Sequence, residues 1–170
     1  MHIRDIDSTS MEEVELVAQR MLQTLIEIEG PDRGSSFYTM DWLIARVRSH
    51  LDGESCRGRV LLAEFPHKQI TGHTIVRLEP AESGQFGLVS TTYIDPAFRR
   101  TGIATALLVY SERWFGEQGM PSCRTWTSST SAPLINLYKR HGYSITDSGP
   151  NDLTGSLMVR LSKQLADDVA

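Results

Sequence analysis

The feature that most constrains the fold lies between residues 86 and 115, where a β-rich run passes through a short basic loop into an amphipathic helix. The loop contains Arg99, Arg100, Thr101, Gly102, Ile103, Ala104 and Thr105. Gly102 allows a ligand to approach the backbone closely, and the first N–H groups of a helix have no intrahelical partner. Donors of this kind suit phosphate oxygens, so the segment predicts an anion-binding loop at a helix start.

The residues before this loop predict two helices and an antiparallel sheet. Ser10 and Glu13 have the spacing of a helix capping box, and an apolar face then recurs at helical steps until Gly30. A second helical pattern ends near residue 52. Residues 60–78 alternate as a hairpin around a turn at 66–69, and residues 86–94 follow as a third strand.

The residues after the loop predict a strand at 123–127, a helix capped by Ser131 and ended by Gly142, and strands at 143–146 and 157–161. The strand–helix–strand step from 86 to 127 indicates parallel pairing through a crossover. This element order predicts an α+β fold with a mixed, mostly antiparallel sheet and helices on both faces. A chain of 170 residues suits one domain, residues 1–170.

Composition and charge disfavour several classes of function. The chain has 17 Lys and Arg against 21 Asp and Glu, a net charge of −4, and no basic stripe, so nucleic-acid binding is disfavoured. No apolar run approaches the ~20 residues that span a bilayer, and the acidic amino terminus does not resemble a secretion signal, so we expect no membrane association and a cytoplasmic location. Cys56 and Cys123 stand 67 positions apart in no metal-binding spacing, so we expect neither a disulfide nor a metal site.

The loop pattern alone is weakly specific, but its setting strengthens it. The loop follows a β run that ends in Ile94-Asp95-Pro96. A later helix contains Leu137-Tyr138, and Gly142-Tyr143 follow at its end. With these motifs the chain resembles the GCN5-related N-acetyltransferase (GNAT) family over about residues 59–161. The resemblance implies an enzyme that uses acetyl-coenzyme A (acetyl-CoA) as acyl donor and a small-molecule or peptide amine as acceptor. We expect either a monomer or a homodimer, between which the sequence does not decide.

The resemblance also implies residue roles. Backbone amides of residues 99–105 would bind the diphosphate of the cofactor, and main-chain groups at Ile94 would pair with its pantetheine arm. Tyr138 matches the tyrosine near the coenzyme sulfur. A phenol, with a reference pKa of about 10, is still protonated at neutral pH and can donate to a leaving thiolate, so Tyr138 is the candidate general acid for direct attack by a primary amine.

Two departures from the family pattern leave questions open. Residues 88–93 contain no carboxylate where the family often carries a glutamate base, and Ser131 stands where many relatives have Asn. The base, or the side chain that orders a water to act as base, then has several candidates: His73, Glu79, Glu82, Ser90, Thr91 and Thr92. We expect His73 to be partly buried and structural.

The sequence also allows alternative interpretations of the acidic residues and of the function. The acids Glu27, Glu29, Asp32 and Asp41 are either solvated helix ends or an attraction for a cationic acceptor. The missing strand carboxylate also fits a non-catalytic acyl-CoA-binding module that senses the cofactor or serves a partner. A nucleotide-binding protein is a weaker alternative, since neither GxxxxGK[ST] nor GxGxxG occurs.

Overall fold

The computed structural model describes residues 1–54, 56–82 and 84–165. The elements in chain order are β1 (His2–Asp5), α1 (Met11–Glu29), α2 (Pro31–Gly34), α3 (Met40–Ser49), β2 (Gly58–Phe65), β3 (Gln69–Ala81), β4 (Gly84–Ile94), α4 (Ile103–Glu117), β5 (Ser122–Ser128), α5 (Ala132–Arg140), β6 (Ser144–Pro150) and β7 (Leu157–Gln164). The strands form one sheet in the order β1-β2-β3-β4-β5-β7-β6. The pairs β1/β2, β2/β3, β5/β7 and β6/β7 are antiparallel, whereas β4 and β5 are parallel. The predicted α+β class, the mostly antiparallel sheet and the crossover are confirmed.

Helix α1 begins and ends as its sequence predicts. The Ser10 hydroxyl accepts a hydrogen bond from the Glu13 N–H at 3.3 Å, and the Gly30 N–H donates to the Ile26 carbonyl at 2.9 Å. Gly30 has φ of 87°, which ends the helix. The four-residue helix α2, which the sequence analysis did not predict, follows at once.

Two sequence expectations are wrong at the carboxyl-terminal end. Ser131 occupies the N-cap position of α5, but its side chain makes no capping hydrogen bond. Its backbone ψ of 66° differs from the extended conformation of the Ser10 and Thr39 caps, whose side chains do accept. Strand β6 runs to Pro150, four residues beyond its predicted end, because β7 pairs with its polar second half.

The chain divides into two compact units. Unit 1 contains residues 1–77 and 91–108, and unit 2 contains residues 78–90 and the chain from residue 109 onward. The main buried cluster of unit 1 joins α1 and α3 to the first strands: Ile6, Val14, Val17, Ala18, Leu43, Val47, Val60, Leu62 and Ile75.

The strands of unit 1 are covered on both faces. Leu62 belongs to the cluster with α1 and α3, and neighbouring residues of a strand point to opposite faces. Ala63 pairs with Gly72, where a Cβ atom would lie 3.4 Å from Ile103 of α4. Helix α4 therefore packs on the face opposite α1, which confirms helices on both faces of the sheet.

In unit 2 the second half of α4 packs closely on β4. The buried Phe115 ring fills the space beside Gly87, where an added Cβ atom would overlap the ring carbons. At the sheet edge, β6 is exposed along most of its length and shifts register against β7 between Ile145 and Asp147. No helix in the described parts of the chain is long and apolar enough to cross a membrane.

Candidate active site

The basic loop joins β4 to α4 through a backbone that turns twice through positive φ. Arg100 has φ of 66° and Gly102 has φ of 87°. Gly102 is exposed, and a Cβ atom placed on it would have no neighbour within 4 Å among the described residues. Its carbonyl accepts from the Ala106 N–H at 3.0 Å, so α4 starts directly behind it. The first amides of α4 thus lie beside open space that a ligand can enter.

The side chains of the loop differ in what they contact. The Thr101 hydroxyl donates to the Phe98 carbonyl at 2.6 Å, inside the loop. The Arg99 guanidinium donates to the Ile94 carbonyl at 2.9 Å through Nε and to both carboxylate oxygens of Glu27 at 2.9 and 3.0 Å. Arg99 therefore ties the end of β4 to the last turns of α1, while Arg100 projects as an exposed cation.

The end of β4 is anchored by further contacts. The Asp95 N–H donates to the Thr71 carbonyl at 2.9 Å, and the Asp95 carboxylate accepts from the Ala97 N–H at 3.1 Å. The Tyr93 ring lies 5.4 Å from the Arg20 guanidinium and 5.8 Å from that of Arg99. Burial is the main cause that raises the Tyr93 pKa. These contacts hold Ile94 at a defined position before the loop.

His73 is fully buried, contrary to the expectation of partial burial. Its ring stacks on Tyr93 at 6.0 Å, and both ring nitrogens lack a hydrogen-bond partner among the described residues. Burial, together with the positive charge of Arg20, lowers the His73 pKa to about 3. The imidazole is neutral and enclosed at physiological pH, which fits a structural side chain rather than a base that exchanges protons with solvent.

The hydroxyls of β4 differ in a way that the sequence did not reveal. Thr92 Oγ1 lies 3.0 Å from Thr74 Oγ1, and Thr74 also donates to the Thr91 carbonyl at 2.8 Å. Thr91 Oγ1 is buried and has no hydrogen-bond partner among the described residues. Buried polar atoms of this kind are commonly satisfied by ordered water.

Tyr138 lies near the end of α5 in unit 2 and is 3% exposed. The Gly142 N–H donates to the Lys139 carbonyl at 3.1 Å, and the Tyr143 N–H donates to the Tyr138 carbonyl at 3.1 Å. With Gly142 at φ of 85°, these are the two bonds of a Schellman motif. The motif returns the chain so that the Tyr143 ring meets the Tyr138 ring edge to face, with centroids 5.0 Å apart.

Beside this turn lies a buried thiol. Cys123 Sγ and the Tyr143 hydroxyl oxygen are 2.9 Å apart, and both residues are buried. Burial raises the Cys123 pKa to about 11 and raises the Tyr143 pKa as well. A thiol that stays protonated at neutral pH is a poor nucleophile, so Cys123 fits a structural residue of the core.

The predicted site residues fall into both units. Ile94 and residues 99–105 lie in unit 1, and Tyr138 lies in unit 2. Two of the four acids considered for acceptor attraction are engaged elsewhere, since Glu27 binds Arg99 and Glu29 lies 3.2 Å from Arg33. Among the described residues, no group of three or more His, Cys, Asp or Glu is arranged to hold a metal ion.

Comparison with known proteins identifies the class. Residues 18–143 match the family model described as the acetyltransferase (GNAT) family, and this span is most of the chain. The chain therefore belongs to the GNAT family and is an enzyme of the acetyltransferase class. No curated protein matches it significantly.

Solved structures show the same fold at low sequence identity. YncA of Salmonella typhimurium, solved with its cofactor acetyl-CoA, has a TM-score of 0.74 and 16% identity, with 100% of this chain and 96% of that chain covered. Ard1 of Thermoplasma volcanium has a TM-score of 0.72 and 20% identity, with 97% of each chain covered. An aminoglycoside 6'-N-acetyltransferase complexed with coenzyme A has a TM-score of 0.68 and 15% identity, with 98% of each chain covered.

Proposed function

We propose that this enzyme transfers an acetyl group from acetyl-CoA to a primary amine by direct attack. Membership of the GNAT family supports acetyl transfer. The presence of acetyl-CoA or coenzyme A in two structures of the same fold supports the donor. The single observation that carries the proposal is the loop at the start of α4, with its exposed Gly102 and open amides.

The loop fits a diphosphate through its backbone more than through its side chains. Gly102 leaves space where a Cβ atom would stand, and the amides of the first turn of α4 point out of the helix start. Arg99 is already bound to Glu27 and to the Ile94 carbonyl, so its side chain supports the loop. Residues 101–105 would therefore hold the diphosphate by N–H groups, with Arg100 contributing charge. Ile94 would offer its main chain to the pantetheine arm.

Tyr138 is proposed as the general acid. Acetyl-CoA supplies an activated acyl group, and transfer forms a C–N bond while the C–S bond breaks. The Tyr138 phenol would donate its proton to the departing sulfur, so that coenzyme A leaves as a neutral thiol, and the proton that the attacking nitrogen loses would restore the phenol. The position of Tyr138 at the end of α5, fixed by the Schellman motif, supports a role that needs a constant orientation.

The acceptor must lose a proton before it attacks. At pH 7 an alkylammonium with pKa ~10.4 requires about 4.6 kcal/mol to become a free amine, so a proton acceptor accelerates the reaction. We propose that Thr91 orders a water for this step, because its buried hydroxyl is the one β4 threonine oxygen without a described partner. The water would accept the ammonium proton and pass it to solvent.

Calorimetry, thermal unfolding and thiol release together test the proposed function. Acetyl-CoA should bind with micromolar affinity and raise the melting temperature, and at least one amine in a panel of polyamines, amino acids, aminoglycosides and peptides should release free thiol. Binding without thiol release across the whole panel would favour the non-catalytic module. Tighter binding of ATP or NAD than of coenzyme A would overturn the choice of donor.

Several expectations remain predictions from the sequence. They are a single domain over residues 1–170, action in the cytoplasm, a monomeric or homodimeric state, and an amine rather than a nucleic-acid partner. The net charge of −4 supports a cationic acceptor over a polyanion.

A further inference from the structure

The turn that follows α5 places a second tyrosine against the proposed acid. In a Schellman motif, the residue after the left-handed glycine commonly contacts the side chain five positions earlier. Here these two positions are Tyr143 and Tyr138, with ring centroids 5.0 Å apart and planes inclined by 72°. The geometry is an edge-to-face contact, which favours particular ring orientations over others.

Tyr143 is itself fixed from two further strands. Its hydroxyl lies 2.9 Å from Cys123 Sγ on β5, and its ring lies 5.7 Å from the Lys163 ammonium on β7. Lys163 is held in turn by the Glu112 carboxylate at 2.8 Å. A buried phenol needs a hydrogen-bond partner, and Cys123 supplies one inside the core. The Tyr143 ring therefore has little freedom to rotate or withdraw.

We propose that Tyr143, anchored by the Cys123 thiol, is a positioning residue that sets the orientation of the Tyr138 phenol. The inference rests on the proposed role of Tyr138 as general acid. Proton transfer requires the donor to stay within hydrogen-bond reach of its acceptor, so a small change in the ring plane of Tyr138 reduces turnover. Tyr143 acts only through Tyr138, without contacting substrate or cofactor.

A double-mutant cycle tests this coupling. Tyr143→Phe keeps the ring but removes the hydroxyl that binds Cys123, and it should lower kcat about fivefold with little change in the KM for acetyl-CoA. In the Tyr138→Phe background the same change should have no further effect on kcat, since the group it positions is gone. A loss of kcat that multiplies independently in the double variant would overturn the inference.

Substitutions of the sulfur partner give an independent arm if Tyr143→Phe unfolds. Cys123→Ser retains a hydrogen-bonding side chain and should keep most of kcat, whereas Cys123→Ala should reproduce the loss seen with Tyr143→Phe. Tyr110→Phe, which removes a phenol from α4, is the matched control and should leave kcat unchanged. Equal kcat for the Ala and Ser variants would contradict the proposal.

The outcomes separate this inference from the proposed function. If Tyr138→Phe turns over like the wild type, the general-acid role fails and the inference fails with it. If Tyr138→Phe is impaired while Tyr143→Phe is not, only the positioning role fails. A crystal structure of Tyr143→Phe provides a readout without any acceptor: the Tyr138 ring should occupy more than one orientation, and an unchanged single orientation would overturn the inference.

Discussion

The loop of residues 99–105 and the turn of residues 138–143 both carry a glycine in the left-handed region, yet they are held in different ways. The loop depends on the Arg99–Glu27 ion pair, whose side chains are 43% and 35% exposed. The turn depends on Tyr143 and Cys123, which are 3% and 0% exposed and uncharged. Exposed ion pairs stabilise a structure only weakly, and salt screens them. Contacts between buried, uncharged side chains do not depend on salt. We therefore expect salt and surface substitutions to affect the loop more than the turn.

The largest expected effect is at Tyr138. Tyr138→Phe removes the proposed proton donor and should lower kcat by about two orders of magnitude, with the acetyl-CoA KM nearly unchanged. Steady-state thiol release with an acceptor from the panel measures this split. Normal turnover by the Phe variant would assign the proton donation to another group.

Acid should lower the free energy of unfolding through protonation of His73 in the unfolded chain. The unfolded chain binds this proton near the ordinary histidine pKa of about 6.5, whereas the folded chain binds it only at about pH 3. Between these values the unfolded state holds more protons, so the free energy of unfolding falls as pH falls, by roughly 1.6 kcal/mol from pH 6.5 to pH 5.

Urea unfolding across this range, compared between the wild type and His73→Leu, isolates the contribution of His73. The variant should lose much less stability on acidification, because no buried imidazole has to stay unprotonated. Replacement of the exposed His2 by Leu is the control and should keep the slope of the wild type. Parallel slopes for the wild type and His73→Leu would show that the imidazole is not the titrating group.

Thr91 should separate activity from stability. Thr91→Val removes a buried hydroxyl that has no described partner, a change that is neutral or stabilising for the fold. If the hydroxyl orders the water that accepts the amine proton, kcat should fall about tenfold at pH 7 and recover toward high pH, where the amine is already free. Thr92→Val is the matched comparison, since its hydroxyl is bound to Thr74. A pH profile identical to that of the wild type would eliminate Thr91.

The two left-handed glycines provide a direct comparison of the regions. In the part of the chain that the structure describes, neither Gly102 at φ of 87° nor Gly142 at φ of 85° has a close neighbour at the Cβ position, so Ala at either site should cost mainly the backbone strain of about 1–2 kcal/mol. Only Gly102→Ala should also raise the KM for acetyl-CoA, because its methyl group would stand where the ligand approaches. Gly30→Ala, also at φ of 87° in open space, controls for strain alone.

The smallest effect is expected at the Arg99–Glu27 pair. Arg99→Gln or Glu27→Gln should raise the acetyl-CoA KM about two- to threefold with a stability change under about 1 kcal/mol, and the double variant should be no worse than either. About 0.5 M salt should reduce the difference from the wild type. A large, salt-independent loss with Arg99→Gln alone would instead indicate that its guanidinium contacts the diphosphate.

Local signals explain most of the fold that the sequence predicted. The Ser10 cap, the Gly30 stop and the alternation of β2, β3 and β4 each depend on a few neighbouring residues. Helix α2 escaped prediction because four residues cannot display a 3.6-residue period. The polar second half of β6 escaped because nearly all of it is exposed, which leaves no apolar alternation to detect.

The site was less predictable because its decisive contacts join distant positions. The loop could be found as a motif, but the hydrogen-bonded ion pair between Arg99 and Glu27 joins residues 72 positions apart. The bond between Cys123 of β5 and Tyr143, which precedes β6, joins residues 20 positions apart that share no sequence pattern. Likewise, the difference between Thr91 and Thr92 comes from tertiary contact with Thr74, and two adjacent threonines look alike in a sequence.

The register shift in β6 has a consequence for behaviour at high concentration. An outermost strand displays unpaired amides and carbonyls on which a second molecule can extend the sheet. A register shift such as the one between Ile145 and Asp147 increases the local twist of an edge strand. Asp147 and its ion-pair partner Arg160, 3.6 Å away, also place charges at this edge. We therefore expect β6 to pair poorly with an edge strand of a second molecule.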